Sequence, residues 1–280
     1  RLLLLTKKPS TSISGGSSRQ IRLFLLYTFS ITWLSWLVII IANRYFDALW
    51  YGEFLFWIPM LIGALGPAIG VYMIYRQFNE SFKEESFVKF VFNKRIDRRA
   101  WVVFGSYIVW RFFMVWISFG IKEPLSILYM FINLPLFIIG GGFEELGWRG
   151  YLQPKLEKVT SYLASVLIVG VIWSMWHLPL WLIKGTVQSA LSFGVYTFLC
   201  IILSVSFTTI YKYTKNLFLC ILSHAWFNGC IGLVVYIGSG GYLQLNFNWK
   251  VIIVFVLELI VSFILGMAYN QKKIKQQGNM

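Results

Sequence analysis

Apolar residues run along this chain in long unbroken stretches rather than alternating with polar ones. The stretches fall at about 23–42, 55–75, 101–121, 125–143, 162–183, 187–210, 217–237 and 251–269. A bilayer core is crossed by a helix of about 20 apolar residues, so each stretch predicts one membrane-crossing helix. The predicted fold is all-α, a polytopic transmembrane helical bundle of about eight spans. The alternating polarity of a membrane β-barrel is absent. Residues 9–18 (PSTSISGGSS) are too poor in apolar side chains to pack, so 1–20 reads as a flexible tail. The expected organisation is then a multi-pass domain over 21–270 and a basic tail over 271–280.

Composition sharpens this. Hydrophobic residues make up 58% of the 280 and charged residues only 13%, against roughly a quarter charged in soluble domains. The net charge of +14 would suggest nucleic acid in a soluble protein, but its distribution points elsewhere. Counted connection by connection, 20 of the 25 Lys and Arg fall on one side of the predicted bundle and four on the other, with Arg111 inside a span. By the excess of cations in cytoplasmic loops, both termini are expected to be cytoplasmic, and a prokaryotic cell membrane is the expected location. The bilayer is the partner this charge implies; nucleic acid is not. Trp50, Trp57, Trp101 and Trp249 stand at span edges, where indole rings favour the headgroup level. Gly63, Gly66, Pro67 and Gly70 form a small-residue face suited to close helix packing. Cys200, Cys220 and Cys230 lie in apolar stretches and read as small core residues.

Ionisable groups inside apolar runs cost on the order of 3 kcal/mol each at the bilayer centre unless paired or hydrated, so they mark function. Residues 143–149 read Phe-Glu-Glu-Leu-Gly-Trp-Arg directly after LPLFIIGGG, and both histidines, His177 and His224, lie in predicted spans. Glu145 and Arg149 are four apart with the carboxylate first, the favourable order for an ion pair on one helix face. Glu144, rotated by about 100° around the helix, is left free of that pair. Trp173 with His177, and His224 with Asn228, are likewise four apart and share faces. A hairpin turning near Thr160 and Ser161 would bring Glu144 and His177 to one level.

These residues resemble the motifs of the CPBP family, which contains the CAAX proteases and bacteriocin-processing (Abi) proteins and is similar to the type II CAAX prenyl endopeptidases. Its motifs, Glu-Glu-x-x-x-Arg, Phe-x-x-x-His and His-x-x-x-Asn/Asp, stand here as Glu144-Glu145-Leu-Gly-Trp-Arg149, Trp173-Ser-Met-Trp-His177 and His224-Ala-Trp-Phe-Asn228. One departure is Trp173 in place of Phe, which keeps an aromatic ring but enlarges it. The resemblance implies a four-helix catalytic core within about 125–237 and an intramembrane endopeptidase acting on a membrane-associated or lipidated substrate, either a CAAX-type prenylated protein or a small peptide precursor. It implies that Glu144, assisted by His177, activates water, that His224 and Asn228 hold the oxyanion, and that Glu145 and Arg149 support the site. Trp173 and Arg111 are candidate substrate contacts.

Two questions stay open at this level. Glu144, His177 and His224 have the chemistry of a zinc site with an open position, but His-Glu-x-x-His is absent, and the expectation leans to no tightly bound metal. Arg111 pairs either with Glu258 or with a substrate carboxylate. Competing readings are a non-proteolytic scaffold or bacteriocin-immunity protein of the same fold and a proton or ion relay. The relay is disfavoured because the buried charges cluster in the second half of the chain.

Overall fold

The computed structural model describes residues 15–78, 91, 96–119, 124–233, 235–237, 243–245 and 249–278. The apolar stretches fold as helices: α1 (Gly15–Tyr45), α2 (Trp57–Ala64), α3 (Gly66–Phe78), α4 (Arg98–Phe119), α9 (Tyr162–Trp176), α10 (Phe193–Thr214), α11 (Leu217–Gly232) and α12 (Trp249–Gly278). Between α4 and α9 runs a broken helical arm of four short pieces, α5 (Pro124–Ile132), α6 (Leu134–Phe137), α7 (Glu144–Gly147) and α8 (Gln153–Leu156). π-helical turns at Ile138–Gly142 and Trp148–Leu152 separate α6, α7 and α8. A short antiparallel hairpin, β1 (Val235–Ile237) and β2 (Leu243–Leu245) with Tyr236 opposite Gln244, is the one departure from an all-α fold among the described residues.

Five described helices are long and apolar enough to cross a bilayer, and the α2–α3 pair, bent by 45°, makes a sixth. The expected spans 125–143 and 217–237 are also helical but built differently: the first is the broken arm, and α11 has only 16 residues. The chain is an integral membrane helical bundle. Of the expected tail, residues 1–14 lie outside the described residues, while α1 already begins at Gly15 and α12 runs on to Gly278.

Caps fix the helices that carry the polar motifs. Ser161 accepts from the Ala164 amide (3.2 Å) at the start of α9, and Asn216 accepts from the Leu219 amide (2.9 Å) at the start of α11. Each satisfies a backbone N–H that the first helical turn leaves unpaired. Lys215, left-handed at φ 51°, ends α10 and lets α11 start immediately.

The small-residue face packs α2 and α3 onto α1. A Cβ at Gly63 would collide with the Trp36 indole, one at Gly66 with Thr32, and one at Gly70 would lie 2.6 Å from Thr28 Oγ1. Helix backbones thus approach closely where lipid offers no hydrophobic drive to association. Thr32 uses the proximity by donating to the Gly63 carbonyl at 2.7 Å.

Candidate active site

Glu144 and Glu145 open α7, the single α-helical turn between the two π turns, and both are buried. The two carboxylates have separate environments. Glu145 Oε1 accepts from Arg149 (3.2 Å) and contacts His224 Nδ1 (2.8 Å), in a group of three with almost no exposure. The Arg149 guanidinium lies over the rings of Trp173 and Phe207. Glu144 Oε2 instead accepts from two indoles, Trp173 Nε1 at 2.6 Å and Trp148 Nε1 at 3.4 Å. No hydrogen bond to its Oε1 occurs among the described residues. The i,i+4 spacing therefore identified the paired carboxylate, Glu145, and the one left over, Glu144.

His177 closes α9, and its Nδ1 lies 2.8 Å from the Trp173 carbonyl oxygen. A carbonyl only accepts, so Nδ1 carries the proton and Nε2 of the neutral ring is an acceptor. Rings of Trp176 (4.5 Å between centroids) and Tyr196 (5.2 Å) hold the imidazole edge-on. His224, on α11, donates from Nδ1 to Glu145 in the same tautomer and stacks on Phe207 at 4.9 Å. It can therefore give a hydrogen from Nε2 only as imidazolium.

Glu144, His177, His224, Asn228 and Trp173 all line one cavity of about 510 Å³. Most of its wall is apolar, as in ligand pockets generally, with polar groups gathered at one place. Arg111 is fully buried and is not part of that wall. Its NH2 pairs with Glu258 at 3.0 Å and its NH1 donates to the Ser223 carbonyl at 2.8 Å. The structure thus places Arg111 off the cavity wall, in a helix-bracing ion pair with Glu258 next to His224, and not as a substrate contact.

Sequence reasoning missed three contributors. Trp148, four residues after Glu144, was legible by spacing as its neighbour. Gly141 faces α11 so closely that a Cβ would collide with the Asn228 amide nitrogen. Tyr196 sits on the cavity wall against His177. The Trp57 ring, expected at the headgroup belt, also lines the cavity.

By donor chemistry two imidazole nitrogens and a carboxylate suit zinc. Among the described residues, however, no group of three His, Cys, Asp or Glu side chains is placed to hold an ion. As arranged, these residues do not fit a resident zinc.

Residues 124–230, which contain all three motifs, match the family described as type II CAAX prenyl endopeptidase, Rce1-like. The chain is also 26% identical over 227 residues to CAAX prenyl protease 2 of Methanococcus maripaludis, a similarity covering 74% of this chain and 82% of the relative. Both similarities point to the CAAX-protease (CPBP) family, whose motifs the sequence resembles. The Phe-to-Trp departure at Trp173 gains meaning from the geometry, because the added indole N–H binds Glu144.

Proposed function

We propose that this chain is an intramembrane endopeptidase that hydrolyses a peptide bond close to the membrane surface, in a CAAX-type prenylated protein or a small peptide precursor. The observation that carries the reading is the contrast between the two carboxylates: Glu145 is neutralised by Arg149, while Glu144 faces a cavity shared with both histidines. The match of residues 124–230 to the Rce1-like family and the name of the archaeal relative support it.

In the proposed cycle a water sits between Glu144 Oε1 and His177 Nε2, with Oε2 held by the two indoles. Glu144 takes a proton from that water as its oxygen attacks the substrate carbonyl carbon, forming a tetrahedral intermediate. The Asn228 amide, and His224 when both its ring nitrogens carry a proton, donate to the oxyanion; such preorganised donors contribute about 3 to 4 kcal/mol each. The intermediate collapses with cleavage of the C–N bond, and Glu144 passes its proton to the leaving amine. No step uses a metal.

The test is cleavage of a prenylated CAAX-type peptide by purified protein in liposomes. Glu144→Ala is expected to abolish cleavage while retaining the thermal midpoint; full activity in that variant refutes the proposal. A cellular protective effect that survives Glu144→Ala combined with His177→Ala would favour the scaffold or immunity reading instead.

A further inference from the structure

The loops that line the cavity and the connections that carry most of the basic residues belong to opposite ends of the bundle. One end is defined by contacts between helix ends: Lys155 of α8 donates to Gln20 at the start of α1, and Tyr27 donates to Gln77 at the end of α3. At this same end Lys212 of α10 pairs with Glu157 (2.6 Å), and Lys215 lies over Tyr269 of α12. Helix α4 runs antiparallel to α12, Tyr107 meeting Ser262 and Arg111 meeting Glu258, so its start at Arg98 belongs here too. At the other end Lys184 lies over Trp50, and β2 contacts the 188–190 turn.

Nineteen Lys and Arg belong by sequence to the first end, once buried Arg149 is set aside. Four belong to the second: Arg44, Lys122, Lys184 and Lys250. The loop residues that line the cavity, Tyr51, Thr186, Val187, Gln188 and Leu191, all come from the poorly charged end. Among the described residues, the connections at the basic end contribute nothing to the wall.

Cations are retained on the cytoplasmic side of short connections, so a bias of this size orients the basic end inward. We propose that the cavity opens to the extracytoplasmic side and takes its substrate from there. The orientation is independent of catalysis; its consequence for substrate rests on the proteolytic reading above. Of the two substrate forms named there, it selects a peptide already carried across or presented on the outer surface, over the C-terminus of a cytosolic lipidated protein.

Single added cysteines in a Cys200→Ser background test this, because Cys200 lines the cavity while Cys220 and Cys230 are buried away from its wall and give a low background. Ser189→Cys stands in the 188–190 turn beside the mouth and Lys158→Cys near the opposite end, both at exposed positions. With a membrane-impermeant maleimide on intact bacterial cells, Ser189→Cys is expected to label fully and Lys158→Cys only after permeabilisation. The reverse pattern, labelling of both in intact cells, or no labelling of Ser189→Cys under either condition overturns the proposal. Repeating the labelling in a Glu144→Ala background keeps orientation separate from chemistry. An unchanged pattern there supports the proposal even where the protein cleaves nothing.

Discussion

The indole Nε1 of Trp173 donates to Glu144 Oε2 at 2.6 Å, and the phenylalanine that stands at this position in the family's motif has no hydrogen to give. In this chain the larger ring is thus a clamp on the reactive carboxylate as well as part of the cavity wall. A hydrogen bond to a charged group contributes about 1.5 to 3 kcal/mol. With Oε2 fixed, Oε1 is the oxygen presented to water. Trp173→Phe is expected to lower kcat about tenfold, near 1.4 kcal/mol, with KM little changed. A benzothienylalanine at 173, isosteric but without the N–H, should behave like Phe. Unchanged kcat in both would reduce the indole to a packing element.

Glu145 serves two cations or donors at once, Arg149 and His224, through the same Oε1. Glu145→Gln keeps the volume but leaves the Arg149 guanidinium uncompensated in a site with no exposure. Breaking a buried pair costs about 3 to 5 kcal/mol. The variant should show a clearly lower thermal midpoint in detergent together with loss of cleavage. Glu144→Gln should lose cleavage with the midpoint kept. Equal midpoints for the two Gln variants would contradict the separate environments of the two carboxylates.

Much of this was legible in the sequence for physical reasons. Apolar runs of span length leave few folds open, and the Glu145–Arg149 spacing needs only a helix. What was not legible depends on departures from a regular helix or on contacts between distant residues. The π turn at Trp148–Leu152, between Glu144 and the bend at Thr160, holds more residues per turn than the 3.6 assumed in counting, so the arm climbs less per residue there. Trp173, one turn before His177, therefore stands level with Glu144. The bond from His224 to Glu145 joins residues 79 apart, and no periodicity encodes it. The choice between Glu258 and a substrate as the partner of Arg111 was likewise a tertiary question.

Arg111 and Glu258 join α4 to α12 beside Ser223, with the guanidinium 4.6 Å from the Phe207 ring that stacks on His224. Arg111→Ala should lower the thermal midpoint strongly, because one buried charge loses its partner. Arg111→Met with Glu258→Leu should recover most of it, since replacing both members of a buried pair is often near neutral. Cleavage per folded molecule should stay within about threefold in the double variant, less than 1 kcal/mol. Restored stability with abolished cleavage would return Arg111 to the substrate.

A resident zinc would need ligands that the described side chains do not bring together in a group of three. Extended dialysis against a strong chelator is therefore expected to leave cleavage by the reconstituted protein unchanged. Loss of activity that zinc alone restores would overturn the metal-free cycle.

Adjacent glycines before the Glu-Glu pair should fail in different ways when given a methyl group. At Gly141 the new Cβ collides with the Asn228 side-chain amide, a group that can turn away into the cavity. At Gly142 it meets the Ile221 carbonyl oxygen at 2.8 Å, and that backbone belongs to α11 and cannot yield without moving the helix. Gly141→Ala should therefore keep its thermal midpoint but lose about 100-fold in kcat, the size of removing one oxyanion donor. Gly142→Ala should instead destabilise the bundle by about 1 to 3 kcal/mol, as overpacking does in closely packed interiors. Melting curves and initial rates on the two variants separate the outcomes. Equal loss of stability in both would mean that Asn228 is held as rigidly as the α11 backbone and that Gly141 serves packing alone.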